Sequence, residues 1–364
     1  MRILHITDTM AMGGAEALLV ALTSQQVKEG HSVRIVTLIK PNVDFNVAKA
    51  RTAGVEVIHL KEGGSCYDPR LIVRLIPYLK DSDIVNVHLT PAIHWAGLAK
   101  MLSFSKVPMV VTIHSTNGHK KLDKAFRAID RFFYKHYYKE VIACADKVNE
   151  TFCGRFPGLK VSTIPNGVDI SGNIGAEPYT KQELCGVSED EFLVTMVARF
   201  AWMKRQDTVV EAISKLPEKF HAVFVGGDGG EMQRVKNLCK ELKVEDRVHF
   251  LGLRSDVPRI LKTSDVNVMS SDFEGLSISS IEGMASGKPF VASDVNGLRE
   301  VVGGVGALFE NKNADQLAEV LLKLEEDKYY YEQIAASCRN EAMKYDIKEC
   351  CENYMTVYNR ISNL

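Results

Sequence analysis

The sequence has no apolar run long enough to cross a membrane. A transmembrane helix needs about 20 predominantly apolar residues, and no uninterrupted stretch approaches this length. The apolar run nearest the start, ILHIT at 3–7, has five residues and contains His5, so it is too short for the apolar segment of a secretory signal. We therefore expect a cytoplasmic protein that at most lies on the inner face of a membrane.

Metal and dinucleotide motifs are also missing. The eight cysteines include no C-x-x-C pair and no grouping with histidine at zinc spacing, and they are typical of small buried hydrophobic residues in a reducing compartment. No G-x-G-x-x-G fingerprint is present, and a net charge of −1 with no recognition motif argues against nucleic acid. These absences argue against a zinc site, a Rossmann dinucleotide cofactor and a nucleic-acid partner.

The length and the charge distribution indicate two domains. At about 100 to 200 residues per domain, 364 residues exceed one hydrophobic core, and a 46% hydrophobic composition is enough to bury two. Residues 1–165 contain 22 Lys and Arg against 14 Asp and Glu, whereas the remainder contains 23 against 32. The basic half is expected to meet an anionic partner.

Short apolar runs alternate with amphipathic segments throughout the chain. This alternation predicts right-handed βαβ units and parallel sheets, hence an α/β protein with two doubly wound, Rossmann-like domains facing a central cleft. We place the domains at 1–165 and 166–345, with a turn-rich hinge at 164–178 and a last helix, about 346–364, packing back on the first domain. The predicted strands are 3–7, 33–38, 55–60, 83–89, 109–114 and 161–165, then 192–198, 221–226, 247–252, 266–270, 289–293 and 307–310.

The segment FEGLSISSIEGMASGKP at 273–289 carries two glutamates, Glu274 and Glu282. If a strand ends near Met269 and a helix begins near Leu276, Glu274 lies on the loop and Glu282 two turns into the helix. Unpaired N–H groups at a helix start bind anions, here those of the residues after Gly275, namely Leu276, Ser277 and Ile278. Considered alone, the glutamates could equally be a first-turn acid and a solvent-facing side chain.

Other strand ends carry residues suited to ligand binding. Gly13 and Gly14 follow the first strand and allow close approach to a helix start, although a plain tight turn has the same pattern. His114 ends a strand where it could donate to a hydroxyl or phosphate. His5, His59 and His88 also lie in or beside strands, however, and a lone histidine of this kind more often has a structural role.

In the second half, cations and glycines gather at neighbouring strand ends. Arg199 and Lys204 follow one predicted strand and would match a diphosphate. The glycine turn containing Gly227 follows the next strand, and Leu253 and Arg254 follow a third. Because carboxyl ends of parallel strands share one edge of a sheet, these loops are expected to converge with the two-glutamate segment on one site.

Residues 119–139 combine seven Lys and Arg with six Phe and Tyr. On a helix this composition favours contact with anionic lipid or a polyanionic acceptor. A solvated basic face with an aromatic core stripe would give the same sequence.

Together these motifs resemble the group 1, or family four, retaining glycosyltransferases of the GT-B fold. The resemblance rests on GGAE at 13–16, IPNGVD at 164–169, ARFAWMK at 198–204, the glycine turn at 226–230, FLGLRSDV at 250–257 and the two-glutamate segment extended to 302. It implies a nucleotide-sugar donor with UDP or GDP, a saccharide or lipid-linked acceptor, no metal, and cell-surface polysaccharide or glycolipid synthesis.

The resemblance also implies a role for each matching residue. Arg199 and Lys204 correspond to the pair that neutralises the diphosphate, Glu274 to the glutamate beside the transferred sugar, and Glu282 to the glutamate on the ribose. His114 corresponds to a histidine by the sugar, Gly13 and Gly14 to the loop near phosphate and acceptor, and Leu253 and Arg254 to the loop that binds the base.

The sequence departs from the family pattern at Ser277, where a glycine is usual, and this puts the identity of the donor in doubt. Further departures are Ala198, Gly230 and Asn296. Two other functions stay open on the sequence: a nucleotide-sugar 2-epimerase of the same fold, and a catalytically silent donor-binding subunit.

Overall fold

The computed structural model describes residues 1–11, 13–114 and 124–362. The chain divides into two units, the first formed by Met1–Gly167 and Ile347–Leu364 and the second by Val168–Asp346. The second unit thus begins two residues later than the boundary drawn from the sequence. Among the described residues, no helix is both long enough and apolar enough to cross a membrane.

The first unit is a parallel sheet flanked by helices. Its seven strands lie in the order β3-β2-β1-β4-β5-β6-β7, and all neighbours are parallel. The elements are β1 (Arg2–Thr7), α1 (Gly14–Lys28), β2 (Ser32–Thr37), α2 (Phe45–Thr52), β3 (Glu56–His59), α3 (Arg70–Lys80), β4 (Ile84–His88), α4 (Ala92–Ser103), β5 (Met109–Ile113), α5 (Lys124–Tyr137), β6 (Glu140–Ala143), α6 (Asp146–Arg155), β7 (Val161–Thr163) and the last helix, α16 (Ile347–Ser362).

The two faces of this sheet are packed differently. Leu4, Val85 and Val111 point to one face and join the apolar core made with α3, α4 and α5. The residues that alternate with them point to the other face, where α16 packs beside α1. That second face holds polar side chains in the middle of otherwise apolar strands, namely His5, Asn86, His88 and Thr112, all buried.

One strand of the first unit is missing from the sequence-based assignment. β6 has four residues and begins with Glu140, whose charge interrupts the apolar pattern that marks the other strands. Glu140 is nevertheless buried, because Arg360 on α16 and Lys160 form ion pairs with its carboxylate. A charged residue in a central strand is therefore compensated by partners distant in sequence.

The second unit repeats the architecture with six parallel strands in the order β10-β9-β8-β11-β12-β13. Two doubly wound α/β domains are thus confirmed. The elements are α7 (Ile170–Gly175), α8 (Lys181–Cys185), β8 (Phe192–Val197), α9 (Gln206–Lys215), β9 (Phe220–Val225), α10 (Met232–Glu241), β10 (Val248–Gly252), α11 (Val257–Thr263), β11 (Val266–Met269), α12 (Ile278–Ala285), β12 (Phe290–Ser293), α13 (Arg299–Val302), β13 (Ala307–Phe309), α14 (Ala314–Glu326) and α15 (Lys328–Ala342).

The predicted hinge at 164–178 includes the point at which the chain passes from the first unit to the second. It also contains a short helix, because Asp169 caps α7 by accepting a hydrogen bond from the amide of Gly172. The helix after Met269 begins at Ile278 and not near Leu276, because Ser277 is its N-cap residue. Serine is favoured at that position since its hydroxyl satisfies an amide that lacks a helical partner.

The order of strands reverses between β1 and β4 in the first unit and between β8 and β11 in the second. In open parallel sheets the helices leave opposite faces at such a point, which opens a crevice outside the carboxyl ends of the strands. The loops after β8 and β11 and those after β1 and β4 are therefore where each unit is expected to bind ligands.

Candidate active site

Two loops meet at the switch point of the second unit, 198–205 after β8 and 270–277 after β11. The Ser270 hydroxyl donates to the carbonyl oxygens of Lys204 at 3.0 Å and of Arg205 at 2.8 Å. The amide of Asp272 donates to the carbonyl of Met203 at 2.7 Å. The backbone of the two loops is thereby fixed before any ligand arrives.

The same loops bring Lys204 and Glu274 into contact. Nζ of Lys204 lies 2.5 Å from Oε1 of Glu274, and the two side chains are only 21% and 12% exposed. The hydroxyl of Ser271 also donates to Oε1 of Glu274 at 2.6 Å. These two charge-assisted contacts hold the Glu274 carboxylate in one orientation. They also offset the free-energy cost of burying its charge.

The backbone of Glu274 is fixed as well. Its amide donates to the carbonyl of Asn296 at 3.2 Å. Gly297 follows with φ of 89°, and a side chain there would collide with the carbonyls of Glu274 and Gly275. A glycine at this position is required by both the conformation and the close approach.

The N-terminus of α12 lies directly after this loop. Oγ of Ser277 accepts from the amide of Ser280 at 3.3 Å, so its hydroxyl faces the helix and caps it. The amides of Ile278 and Ser279 in the first turn have no partner within the helix and are available to an anion. Of the three amides predicted to bind an anion, those of Leu276 and Ser277 precede the helix and that of Ile278 lies in its first turn.

Glu282 lies on α12 one turn inside the helix and not two, because the helix starts later than predicted. Its side chain is half-buried. Glu274 and Glu282 thus flank the start of the helix on the chain, the first on the loop and the second on the helix.

Arg199 lies on the loop after β8 and is exposed. It has no carboxylate partner among the residues that the structure describes, unlike Arg205, which pairs with Asp207 at 3.1 Å. The carbonyl of Arg199 accepts from the side chain of Gln206 at 3.1 Å, which fixes the backbone while leaving the guanidinium group available.

The loops after β9 and β10 pack against each other. A side chain at Gly227 would press on the Leu253 side chain, so the glycine leaves room for it. The guanidinium group of Arg254 donates to both carboxylate oxygens of Asp256 at 2.8 and 2.6 Å, so any contact of this residue with a base is left to its backbone, as the resemblance implies. The guanidinium group of Arg254, together with a hydrogen bond donated by the Tyr179 hydroxyl, holds the pKa of Asp256 well below its usual range.

The remaining predicted residues lie in the first unit. Gly13 is the extended N-cap residue of α1, where the Glu16 carboxylate occupies the space a side chain would need, and Gly14 is the first residue of α1. His114 follows β5, and its Nε2 lies 3.0 Å from Nδ1 of His88. Burial lowers the pKa of His114 to about 4.

Sequence reasoning missed Asp8, which follows β1 beside the glycine loop. Its Oδ1 accepts from the amide of Ala92 at the start of α4 at 2.8 Å. Burial, reinforced by repulsion from Glu16, raises the pKa of Asp8 to about 7. The signal was an acidic residue at a strand end, in the DTMAMGG segment that drew attention only for its glycines.

Within the second unit, the structure therefore brings Lys204 into contact with Glu274 and Gly227 into contact with Leu253. Arg199 and the start of α12 lie at the same edge of the sheet. The side chain of Arg254 pairs with Asp256. Gly13, Gly14 and His114 gather at the corresponding edge of the first unit. Across the described residues, no group of three or more His, Cys, Asp or Glu could hold a metal ion.

Comparisons with known proteins agree with this architecture. Residues 182–344 match the family described as glycosyl transferases group 1, and residues 12–171 match glycosyltransferase family 4. The chain is 30% identical to the UDP-Gal:alpha-D-GlcNAc-diphosphoundecaprenol alpha-1,3-galactosyltransferase of Escherichia coli, over 75% of this chain and 74% of that protein. It is 25% identical to the N-acetyl-alpha-D-glucosaminyl L-malate synthase of Bacillus anthracis, over 97% and 95% of the two chains.

Among solved structures, Anabaena Alr3699/HepE in complex with UDP and glucose superimposes with a TM-score of 0.85 at 20% identity, covering 99% of this chain and 100% of the other. This likeness confirms the GT-B fold. With both halves matched by family models and a relative at 30% identity over three quarters of the chain, the protein belongs to the group 1, family 4 glycosyltransferases.

Proposed function

We propose that this protein transfers a sugar from a UDP-sugar to a hydroxyl of a lipid-linked or saccharide acceptor, with retention of the anomeric configuration and without a metal ion. The contact between Lys204 and Glu274 at the start of α12 carries this proposal. It joins a cation suited to a diphosphate to a carboxylate suited to a sugar, and both are fixed by the same pair of loops.

Departure of a nucleoside diphosphate leaves negative charge on the diphosphate. Lys204 has three donor hydrogens, so it can contact a phosphate oxygen while it stays bound to Glu274. Arg199 is exposed and lacks a carboxylate partner among the described residues, and the first-turn amides of α12 add the positive end of a helix dipole. These groups supply the electrostatic stabilisation that a metal supplies in other transferases.

Glu274 is proposed to position the sugar and to stabilise it electrostatically. As the bond to the diphosphate breaks, the sugar gains positive charge like that in glycoside hydrolysis, and a nearby carboxylate lowers the energy of that state. Ser271 and Lys204 both bind Oε1 of Glu274, and no residue within the described ranges forms a hydrogen bond with Oε2. We assign Oε2 to a hydroxyl of the sugar.

The base and ribose are assigned to the neighbouring loops. The Leu253 side chain is 36% exposed and rests on Gly227, which offers an apolar surface and nearby backbone groups to a flat base. Glu282 is assigned to the ribose hydroxyls, as the family resemblance implies. We choose UDP over GDP because the E. coli relative is named for UDP-Gal and the Anabaena structure holds UDP.

A lipid-linked acceptor is supported by the E. coli relative, which acts on a diphosphoundecaprenol-linked sugar. We propose that α5 contacts anionic lipid. Of the basic segment 119–139, residues 119–123 lie outside the described part of the chain, but α5 exposes Ile129 and Phe132 among cations at Arg127, Arg131 and Lys135. Apolar side chains flanked by cations are typical of helices that lie in a membrane interface.

The donor assignment is tested by screening UDP- and GDP-sugars for thermal stabilisation and for acceptor-dependent release of the nucleoside diphosphate. A ligand at 100 times its dissociation constant adds about 2.7 kcal/mol to stability, which is a measurable shift. One UDP-sugar should stabilise the protein and be consumed in the presence of a chelator. Stabilisation by GDP-sugars alone, or loss of turnover with chelator, would contradict the proposal.

The membrane contact is tested by sedimentation with vesicles that contain anionic lipid. Charge reversal of Arg127, Arg131 and Lys135 should weaken binding by about 1 kcal/mol per residue, and added salt should weaken the wild type in the same direction. Charge reversal at Lys215 and Lys219, which pair with carboxylates in the second unit, is the matched control. Equal sedimentation of all variants would remove the role of α5.

A further inference from the structure

Three histidines lie next to one another on one face of the first sheet. His5 is on β1, His88 ends β4 and His114 follows β5, and these three strands are neighbours. His5 and His88 are buried and His114 is half-buried. The face is the one covered by α1 and α16, so these rings lie away from the apolar core on the other side of the sheet.

The rings form a hydrogen-bonded chain that ends on a glutamine. Nδ1 of His5 lies 3.1 Å from Nε2 of His88, and Nδ1 of His88 lies 3.0 Å from Nε2 of His114. Nε2 of His5 lies 3.0 Å from Oε1 of Gln26 on α1. At the other end, Nδ1 of His114 is buried and has no hydrogen-bond partner among the residues that the structure describes.

All three rings are neutral near pH 7. Burial lowers the pKa of His5 to about 4 and that of His114 to about 4, and it lowers the pKa of His88 well below the ordinary value. A neutral imidazole has one N–H donor and one lone-pair acceptor. Each contact between rings needs one of each, so the protons along the chain must all point the same way.

Gln26 decides which way. Its side-chain oxygen faces His5 and can only accept, so Nε2 of His5 carries the proton. Nδ1 of His5 then accepts from Nε2–H of His88, and Nδ1 of His88 accepts from Nε2–H of His114. The unpartnered Nδ1 of His114 is left with a lone pair. The chain does not conduct protons, because an amide oxygen does not take one up near neutral pH.

We propose that Gln26, His5 and His88 are positioning residues that hold His114 in its Nε2–H tautomer, so that Nδ1 accepts a hydrogen bond from a hydroxyl of the donor sugar. This proposal rests on the proposed function together with the family resemblance, which implies a histidine by the sugar at the position of His114. Gln26 is distant from the reacting atoms and acts through the two intervening rings. The side chain of Gln26 on α1 therefore determines which ring nitrogen of His114 carries the proton.

The placement of these residues supports a function beyond packing. Strands of an all-parallel sheet are usually apolar on both faces, and each buried polar ring costs free energy unless it is paired. Pairing satisfies His5 and His88 but leaves one buried nitrogen of His114 without a partner within the described residues. A buried acceptor without a partner is uncommon, and a substrate hydroxyl would satisfy it.

The tautomer is measured directly by nitrogen NMR on the full chain labelled in histidine, without any ligand. The expected result is a protonated Nε2 and an unprotonated Nδ1 for His5, His88 and His114 alike. A protonated Nδ1 on His114 would overturn the proposal. That outcome would follow if the amide of Gln26 presented its nitrogen to His5, since every hydrogen bond in the chain would then reverse.

Variants at Gln26 test the control from a distance. Gln26→Leu removes the acceptor and should give His114 a mixture of tautomers, with kcat/KM for the donor lowered about threefold to tenfold, mainly through KM. Gln26→Glu keeps an acceptor oxygen and should restore the single tautomer. Gln25→Leu is the matched control, because Gln25 is adjacent on α1 but donates to Glu29 and does not join the chain.

The failure of this proposal and that of the proposed function are distinguishable. If no sugar is transferred but the wild-type tautomer is as expected and changes in Gln26→Leu, the control of the His114 tautomer by Gln26 is supported and the proposed function is wrong. If transfer occurs but the His114 tautomer and KM are the same in Gln26→Leu and Gln25→Leu, the control of the tautomer by Gln26 is wrong. The wild-type measurement keeps its force even if a variant does not fold.

Discussion

The carboxyl edges of the two sheets handle charge in opposite ways. In the second unit the edge carries an ion pair between Lys204 and Glu274 and an exposed arginine, Arg199. In the first unit the edge carries buried titratable groups whose neutral forms are favoured by burial, with the pKa of His114 lowered to about 4 and that of Asp8 raised to about 7. Two sheets of the same topology thus present different chemistry.

The difference suits each edge to a different kind of ligand group. Anionic groups such as phosphates are bound by cations and helix amides, which the edge of the second unit carries. Neutral hydroxyl groups are recognised by donors and acceptors with fixed protons, which the edge of the first unit carries. The comparison is tested by removing a charge from the edge of the second unit and by replacing the ionisable Asp8 at the edge of the first unit.

The largest effect is expected from neutralising the charged edge. Lys204→Ala should lower kcat about 100-fold or more, because it removes one electrostatic stabiliser of the departing diphosphate and releases Glu274 from its orientation. The measurement is the rate of nucleoside diphosphate release under saturating donor and acceptor.

Lys215→Ala is the control for that change, since Lys215 pairs with the exposed Asp315 elsewhere in the second unit. Its rate should match the wild type. A rate for Lys204→Ala close to that of the control would show that the charged edge is not the site of the diphosphate.

The second effect concerns the neutral edge and its dependence on pH. Asp8 has a folded-state pKa raised from 3.8 to about 7, so its contribution to stability is complete below pH 4 and is lost as pH rises towards 7. Asp8→Asn keeps an acceptor for the Ala92 amide but cannot ionise. The free energy of unfolding of the wild type relative to Asp8→Asn should fall by about 2 kcal/mol between pH 5 and pH 8.

This difference is measured by urea denaturation of both proteins at the two pH values. The groups that face Asp8 are the carboxylate of Glu16 and the ring of His94, and the comparison with Asp8→Asn cancels their own titration to first order. A constant difference between the two proteins would mean that Asp8 ionises as an ordinary carboxyl group and that the first edge is charged.

The smallest effect distinguishes the helix starts at the two edges. α12 is capped by the hydroxyl of Ser277, whereas α1 has Gly13 as its N-cap residue and so has no side-chain cap. Ser277→Ala should lower the free energy of unfolding by about 1 kcal/mol and Ser277→Gly by only a few tenths. Thermal or urea unfolding of the variants checks this order, and equal losses would show that the hydroxyl is not acting as a cap.

Ser277→Gly also restores the residue usual in the family, so it tests a second point. The hydroxyl faces the helix amide in the structure, and removing it widens the space at the start of α12. If Ser277 limits the donor, the preferred nucleotide sugar should change in Ser277→Gly. An unchanged preference would assign the serine to capping alone.

The repeated strand and helix pattern was readable from the sequence because buried parallel strands are short, apolar and regularly spaced. Among the described residues there are thirteen strands, and twelve of them coincide with the predicted runs. The exception, β6, begins with a buried charged residue, Glu140. The position of the loops followed from the same pattern. The start of α12 was placed two residues too early, because both Gly275 and Ser277 are residues that commonly precede a helix.

Contacts within the sites could not be read in this way. Lys204 and Glu274 are 70 residues apart, and only the parallel pairing of β8 with β11 brings their loops together. His5 and His88 were set aside as structural because isolated histidines in strands usually are. Their connection to His114 depends on the order β1-β4-β5, which no local pattern encodes.

The sequence alone determined the two α/β domains, the motifs at their strand ends and the family to which those motifs point, because hydrophobic periodicity and short motifs are local properties of a chain. The tertiary structure decided which residues share a site, which carboxylate and cation are paired, and which titratable groups stay neutral. These depend on strand order and burial, and desolvation by distant segments sets the charge of Asp8 and His114 more than their neighbours in sequence do.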